Sequence, residues 1–119
     1  VEIDQELRQQ LLCYQRNEIT EHHIYTRLAA TVKSVENRRI LEGIAADELR
    51  HYEVWKTYTQ QDVNPNRFEV WKYYWLGRIF GLTFSIKLME TGEEGAQESY
   101  GRLHGKITEA QEIVQDEHE

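Results

Sequence analysis

Little in this sequence is built to stop a helix. Its 119 residues hold one proline and seven glycines, so long stretches are free of the two strongest helix breakers. Cysteine is nearly missing as well. With Cys13 alone, no disulfide can close within the chain and no thiolate zinc site can form. A reducing compartment is expected, with Cys13 a small, partly buried residue in a helix. Basic residues are the minority, 14 against 21 acidic ones, for a formal charge of -7. That balance argues against nucleic acid as a partner, which calls for a basic patch. Long apolar runs are missing too. The most apolar stretch, residues 75–89, is interrupted by Arg78 and Lys87, whereas a membrane span needs about 20 mostly apolar residues. The opening VEIDQELRQQ has neither the basic start nor the apolar run of a secretion signal. The expected location is the cytoplasm, either as a free protein or as the cytosolic domain of a membrane protein. Sustained alternation of apolar and polar residues is absent, so strands are not expected.

What is present is helical periodicity. A first pattern covers residues 4–32, with Leu7, Leu11, Tyr14, Glu18, Tyr25, Leu28 and Val32 on one face and Asp4 as its N-cap. Ser34 suits the N-cap of a second helix ending near Gln60, with the stripe Leu41, Ile44, Glu48, His51, Trp55 and Tyr58. Residues 61–66 read as a turn around Pro65. Residues 68–76 are aromatic and helical, and Gly77 and Gly81 are expected to mark a bend. The main third helix is expected over residues 82–104, with Ile86, Met89, Glu90, Glu93, Ala96, Tyr100 and Leu103 along one side and Gly105 as its stop. A fourth pattern begins near Lys106, passes Ile107, Ala110 and Ile113 or Val114 to Glu117, and is still running at Glu119. The chain given is therefore expected to be cut within that helix. The fold class expected is all-α: one domain over residues 1–119, a four-helix bundle with a longer connection between helices 2 and 3.

Each stripe carries a glutamate where an apolar residue belongs: Glu18, Glu48, Glu93 with Glu90 one turn before it, and Glu117. An unpaired carboxylate in a bundle core costs several kcal/mol or takes up a proton. Four helices each contributing one point to a shared partner, and a pair of metal ions with hard oxygen ligands is the natural candidate. Glu48 and His51 are three residues apart, on one helix face, so both can reach the same ion. A faint repeat supports two matching hairpins: Glu18 is followed by Tyr25 and Leu28 at the offsets at which Tyr100 and Leu103 follow Glu93.

These residues resemble the rubrerythrin branch of the ferritin-like superfamily, and in particular the rubrerythrin-like domain fused to vacuolar-iron-transporter-type membrane proteins. The resemblance spans nearly the whole chain and rests on Glu18 with Tyr25, the run Asp47-Glu48-Leu49-Arg50-His51, Glu90-Thr91-Gly92-Glu93 with Tyr100, and Asp116-Glu117. It implies a non-haem site of two iron ions, for which manganese or zinc are possible substitutes. Glu18 and Glu93 would be single-helix ligands, Glu48 and Glu117 bridges, His51 a cap on one ion, and Glu90 an exchangeable extra carboxylate. Tyr25 and Tyr100 read either as residues that hydrogen-bond to ligand carboxylates and orient them or as packing residues whose hydroxyls reach another polar partner. The second Glu-x-x-His of the pattern would need a histidine one residue beyond Glu119. No rubredoxin-type cysteine module is present in this sequence, so the electron donor is unknown and external.

The activity implied is oxidoreductase chemistry, either oxidation of ferrous iron or reduction of peroxide or oxygen, within iron handling or oxidative-stress defence. The alternative is an iron sensor or delivery module for a fused or partner iron transporter, without turnover; a metal-free helical interaction domain is the third reading. Glu21 is open between a secondary ligand and solvated surface, with surface the expectation. His22, His23 and His104 are expected at the surface or at helix ends. Trp55, Trp71 and Trp75 are core or interface residues, and the aromatic stretch 71–84 suggests a homodimer contact.

Overall fold

A computed structural model describes residues 4–89 and 91 of the chain. Helix is the sole regular structure among them: α1 (Gln5–Ala29), α2 (Val35–Thr59), α3 (Arg67–Phe80) and a fourth helix, α4, which starts at residue 82 and is described to 89 and again at 91. No strand occurs among the described residues, so the all-α expectation is met. The expected fourth pattern and the far half of the expected third helix lie outside the described residues.

The helix starts are set by side chains that replace missing backbone partners. Asp4 Oδ1 accepts the Leu7 N–H at 2.7 Å, Ser34 Oγ the Asn37 N–H at 3.2 Å, and Asn66 Oδ1 the Glu69 N–H at 3.1 Å. Each such cap is worth about 1 kcal/mol. The ends differ more from expectation. Helix α1 stops at Ala29 rather than Val32, because the chain tightens there: the N–H groups of Thr31 and Val32 reach back only three residues, to Leu28 and Ala29. Helix α2 closes on Gln60 in the left-handed conformation, φ 60°, with its N–H on the Lys56 carbonyl.

Helices α1 and α2 form an antiparallel hairpin. Leu11, Ile24, Leu28, Leu41, Ala45 and Trp55 are buried along it, and the Tyr14 and Trp55 rings meet at 5.9 Å. Helix α3 packs on α1 through buried Val70 and the half-buried Tyr73 and Tyr74. Of the two glycines expected to bend the chain, only Gly81 does so, with φ 103° and ψ 154°, a combination that side-chain-bearing residues avoid. Gly77 stays inside α3 and serves a different purpose. A Cβ there would sit 2.8 Å from Leu28 Cδ2 and 3.5 Å from Ser85 Cβ, so its missing side chain lets α3 lie close to both α1 and α4. Ser85, fully buried, donates to the Tyr73 carbonyl at 2.8 Å and ties α4 back onto α3. The outer faces of α3 and α4 leave Phe68, Trp71, Trp75, Ile79, Phe80 and Phe84 exposed. Trp55 is therefore core, while Trp71 and Trp75 are surface. Cys13 is exposed, contrary to expectation, because it lies one residue off the α1 stripe. None of the described helices is long and apolar enough to cross a membrane.

Candidate metal centre

The middle of the α1–α2 hairpin is where charged residues go inward. Glu18 and Glu21 come from α1, Glu48 and His51 from α2. Spacing of three residues on each helix puts each pair on one face, and antiparallel packing sets the two faces against each other. Glu18, Glu48 and His51 are 1%, 4% and 1% exposed. Each offers a ligand atom, and these atoms all lie within 4.8 Å of one another.

His51 Nδ1 faces Glu18 Oε2 at 3.2 Å, and its Nε2 meets Arg50 Nη2 at 3.3 Å. A guanidinium can only donate, so Nε2 is the acceptor and Nδ1 carries the proton given to Glu18. Glu48 is hydrogen-bonded with Glu18 and with Glu21. Carboxyl groups can share such bonds only if a proton sits between them. Burial, followed by the negative charge of Glu18 and Glu21, pushes the Glu48 carboxyl far above its ordinary value, so it keeps its proton at neutral pH in the metal-free protein. Its Oε2 is buried and meets no hydrogen-bond donor among the described residues. A buried acceptor left in this state costs about 1–3 kcal/mol.

The donor set fits a metal of the iron, manganese or zinc kind: hard carboxylate oxygens and one imidazole. Two donors about 2.1 Å from one ion and at right angles to each other lie about 3.0 Å apart. The 3.2 Å between His51 Nδ1 and Glu18 Oε2 is close to that separation.

Sequence reasoning brought Glu18, Glu48 and His51 to this layer, and the structure gathers these three. Glu90, Glu93, Tyr100 and Glu117 lie outside the described residues. Tyr25 is buried, within the apolar cluster of Ile24, Leu28 and Leu41. Glu21, expected at the surface, is half-buried and bonded to Glu48. Its three-residue offset from Glu18, the same as that of His51 from Glu48, was the signal for it. His22 also turns inward, and its Nδ1 donates to the Ala45 carbonyl at 2.7 Å. No protein family, curated protein or solved structure matches the chain.

Proposed function

We propose that this chain is a ferritin-like, carboxylate-ligated iron protein whose α1–α2 hairpin supplies Glu18, Glu48 and His51 to a two-iron site. The observation that carries the reading is a buried set of ionisable groups within 4.8 Å, one of whose oxygens has no protein donor among the described residues. In this reading Glu90, Glu93 and Glu117 provide the other half of the site. Glu48 gives up its proton to act as a ligand, and the single His51 ring proton would move from Nδ1 to Nε2, away from Arg50, to free Nδ1, so metal uptake releases the Glu48 proton and weakens as pH falls. Glu21 stays hydrogen-bonded to Glu48 and orients it, while the closed hairpin keeps bulk water from the carboxylates. Bound iron supplies one-electron redox chemistry toward peroxide or oxygen. The exposed aromatic face of α3 and α4 fits the homodimer expected from the sequence.

Anaerobic titration of metal-free protein with ferrous iron tests the site. Glu18→Ala, Glu48→Gln and His51→Ala are each expected to weaken binding at least tenfold. Wild-type protein that holds fewer than about one iron per two chains after reconstitution overturns the reading. Stopped-flow mixing with peroxide and with oxygen then separates peroxidase from ferroxidase chemistry. A single turnover that no reductant can repeat assigns the chain to sensing or delivery.

A further inference from the structure

A second group of like charges meets at the start of α3, away from the carboxylates. Asn64, Pro65 and Arg67, with His23 and Arg27 of α1 and the buried Val70, line an open cavity of about 320 Å³. Its walls are fixed in place. The Asn66 N–H donates to Thr20 Oγ1 at 2.8 Å and pins the first turn of α3 onto α1, while Asn66 Oδ1 caps the helix.

Every ionisable group in the lining is basic, in a chain where acidic side chains outnumber basic ones 21 to 14. Two lysines elsewhere have acidic partners, Lys56 with Asp62 at 2.7 Å and Lys72 with Glu69 at 3.3 Å. Arg27 and Arg67 have neither an ion pair nor a hydrogen bond among the described residues. Partial burial first, then the neighbouring His22, then Arg27 and Arg67 hold the His23 pKa below the ordinary 6.5, so both arginines are near enough to act on this ring. The amino end of the α3 dipole adds positive potential at the same place. Two arginines brought together repel each other, and an anion that both can grip removes that cost.

We propose that this cavity binds a phosphate group, held by the Arg27 and Arg67 guanidinium groups with the Asn64 amide and the His23 ring beside them. Donors arriving from two helices and a loop suit a tetrahedral dianion, whereas one carboxylate needs only one guanidinium fork. Phe68 and Trp71, 62% and 57% exposed, follow Arg67 on α3, so the group can belong to free phosphate or to a phospholipid headgroup. The proposal is independent of the iron reading, and its test uses metal-free protein so that phosphate cannot bind through iron.

The test is calorimetric titration with sodium phosphate at constant ionic strength, with sedimentation of phosphatidic acid vesicles against phosphatidylcholine vesicles as its second arm. Saturable phosphate binding that weakens at least tenfold in Arg67→Gln and in Arg27→Gln, is partly kept in Arg67→Lys, and is unchanged in Glu48→Gln supports a free-phosphate site. Sedimentation with phosphatidic acid alone, lost in the same arginine variants and without a response to inorganic phosphate, assigns the site to a headgroup. Circular dichroism melts of both arginine variants establish that they are folded. Absence of binding in both arms, or binding that folded arginine variants retain in full, overturns the proposal.

Discussion

Two polar layers cross the same hairpin, one helical turn apart on α1 and more than two turns apart on α2, and they are built on opposite terms. In the first, Gln15 and Thr59 are both fully buried and fully answered: Thr59 Oγ1 donates to Gln15 Oε1 at 2.6 Å, and Gln15 Nε2 donates to the Gln61 carbonyl at 2.8 Å. In the second, Glu18, Glu48 and His51 are just as deep, but a proton must be held among the carboxyls and Glu48 Oε2 is left over. Depth alone does not mark a site. What separates the layers is whether the protein can close its own hydrogen-bond account. Neutral amide and hydroxyl groups can, while the three carboxyls and the imidazole leave one buried oxygen without a partner among the described residues.

The contrast is broken most severely at the closed layer. Gln15→Leu keeps the volume but strips partners from Thr59 and the Gln61 carbonyl, and is expected to cost about 3 kcal/mol in urea unfolding, with or without metal. At the open layer, ferrous iron at a hundredfold excess over the wild-type dissociation constant is expected to stabilise the wild type by about 2.7 kcal/mol in anaerobic melts, and Glu48→Gln by no more than about 1.4 kcal/mol. Without metal the sign reverses: Glu48→Gln removes a carboxyl that folding forces to stay protonated, and is expected to raise stability by about 2 kcal/mol at neutral pH. An equal loss from Gln15→Leu and Glu48→Gln would erase the distinction between the layers.

Acidity sharpens it further. The folded Glu48 carboxyl lies above its ordinary value of 4.5, so the metal-free fold binds the extra proton and the unfolded chain does not. Stability is then fully present below about pH 4.5 and is lost as pH rises, by up to about 1.4 kcal/mol per pH unit. Glu48→Gln is expected to flatten that part of the profile, measured as the difference between the two proteins. The smallest effect belongs at the surface. Asp62→Asn, which removes the partner of Lys56 where both groups face water, is expected to leave the urea midpoint where it was.

Much of the hairpin was legible in the sequence because its signals are local. Asp4 and Ser34 cap where the pattern begins, and the stripe through Leu11, Tyr14, Glu18, Tyr25 and Leu28 is the buried one. The offset of His51 from Glu48 told which face they share. Glu21 was not legible in the same way. Periodicity places it beside Glu18 on α1, but whether that edge meets water or α2 depends on how the helices cross. Gln15 and Thr59 were missed for a related reason: a polar residue at the margin of a stripe reads as exposed until a partner on the other helix is known. Gly77 and Gly81 looked alike as residues and were told apart only by what passes beside each. Glu90, Glu93 and Glu117 fall outside the described residues, so the second half of the expected site stands as a sequence expectation.

The His22 bond to the Ala45 carbonyl lies beyond the carboxylates on the side opposite the Gln15–Thr59 pair. Two hydrogen-bonded crossbars therefore bracket Glu18 and Glu48 and hold the helices against sliding, whatever the charge state between them. A cradle braced at both ends has its opening set before any guest arrives. On the proposed metal-binding reading, choice among ions would turn on radius, and the entropy of gathering the ligands would be spent during folding rather than at capture.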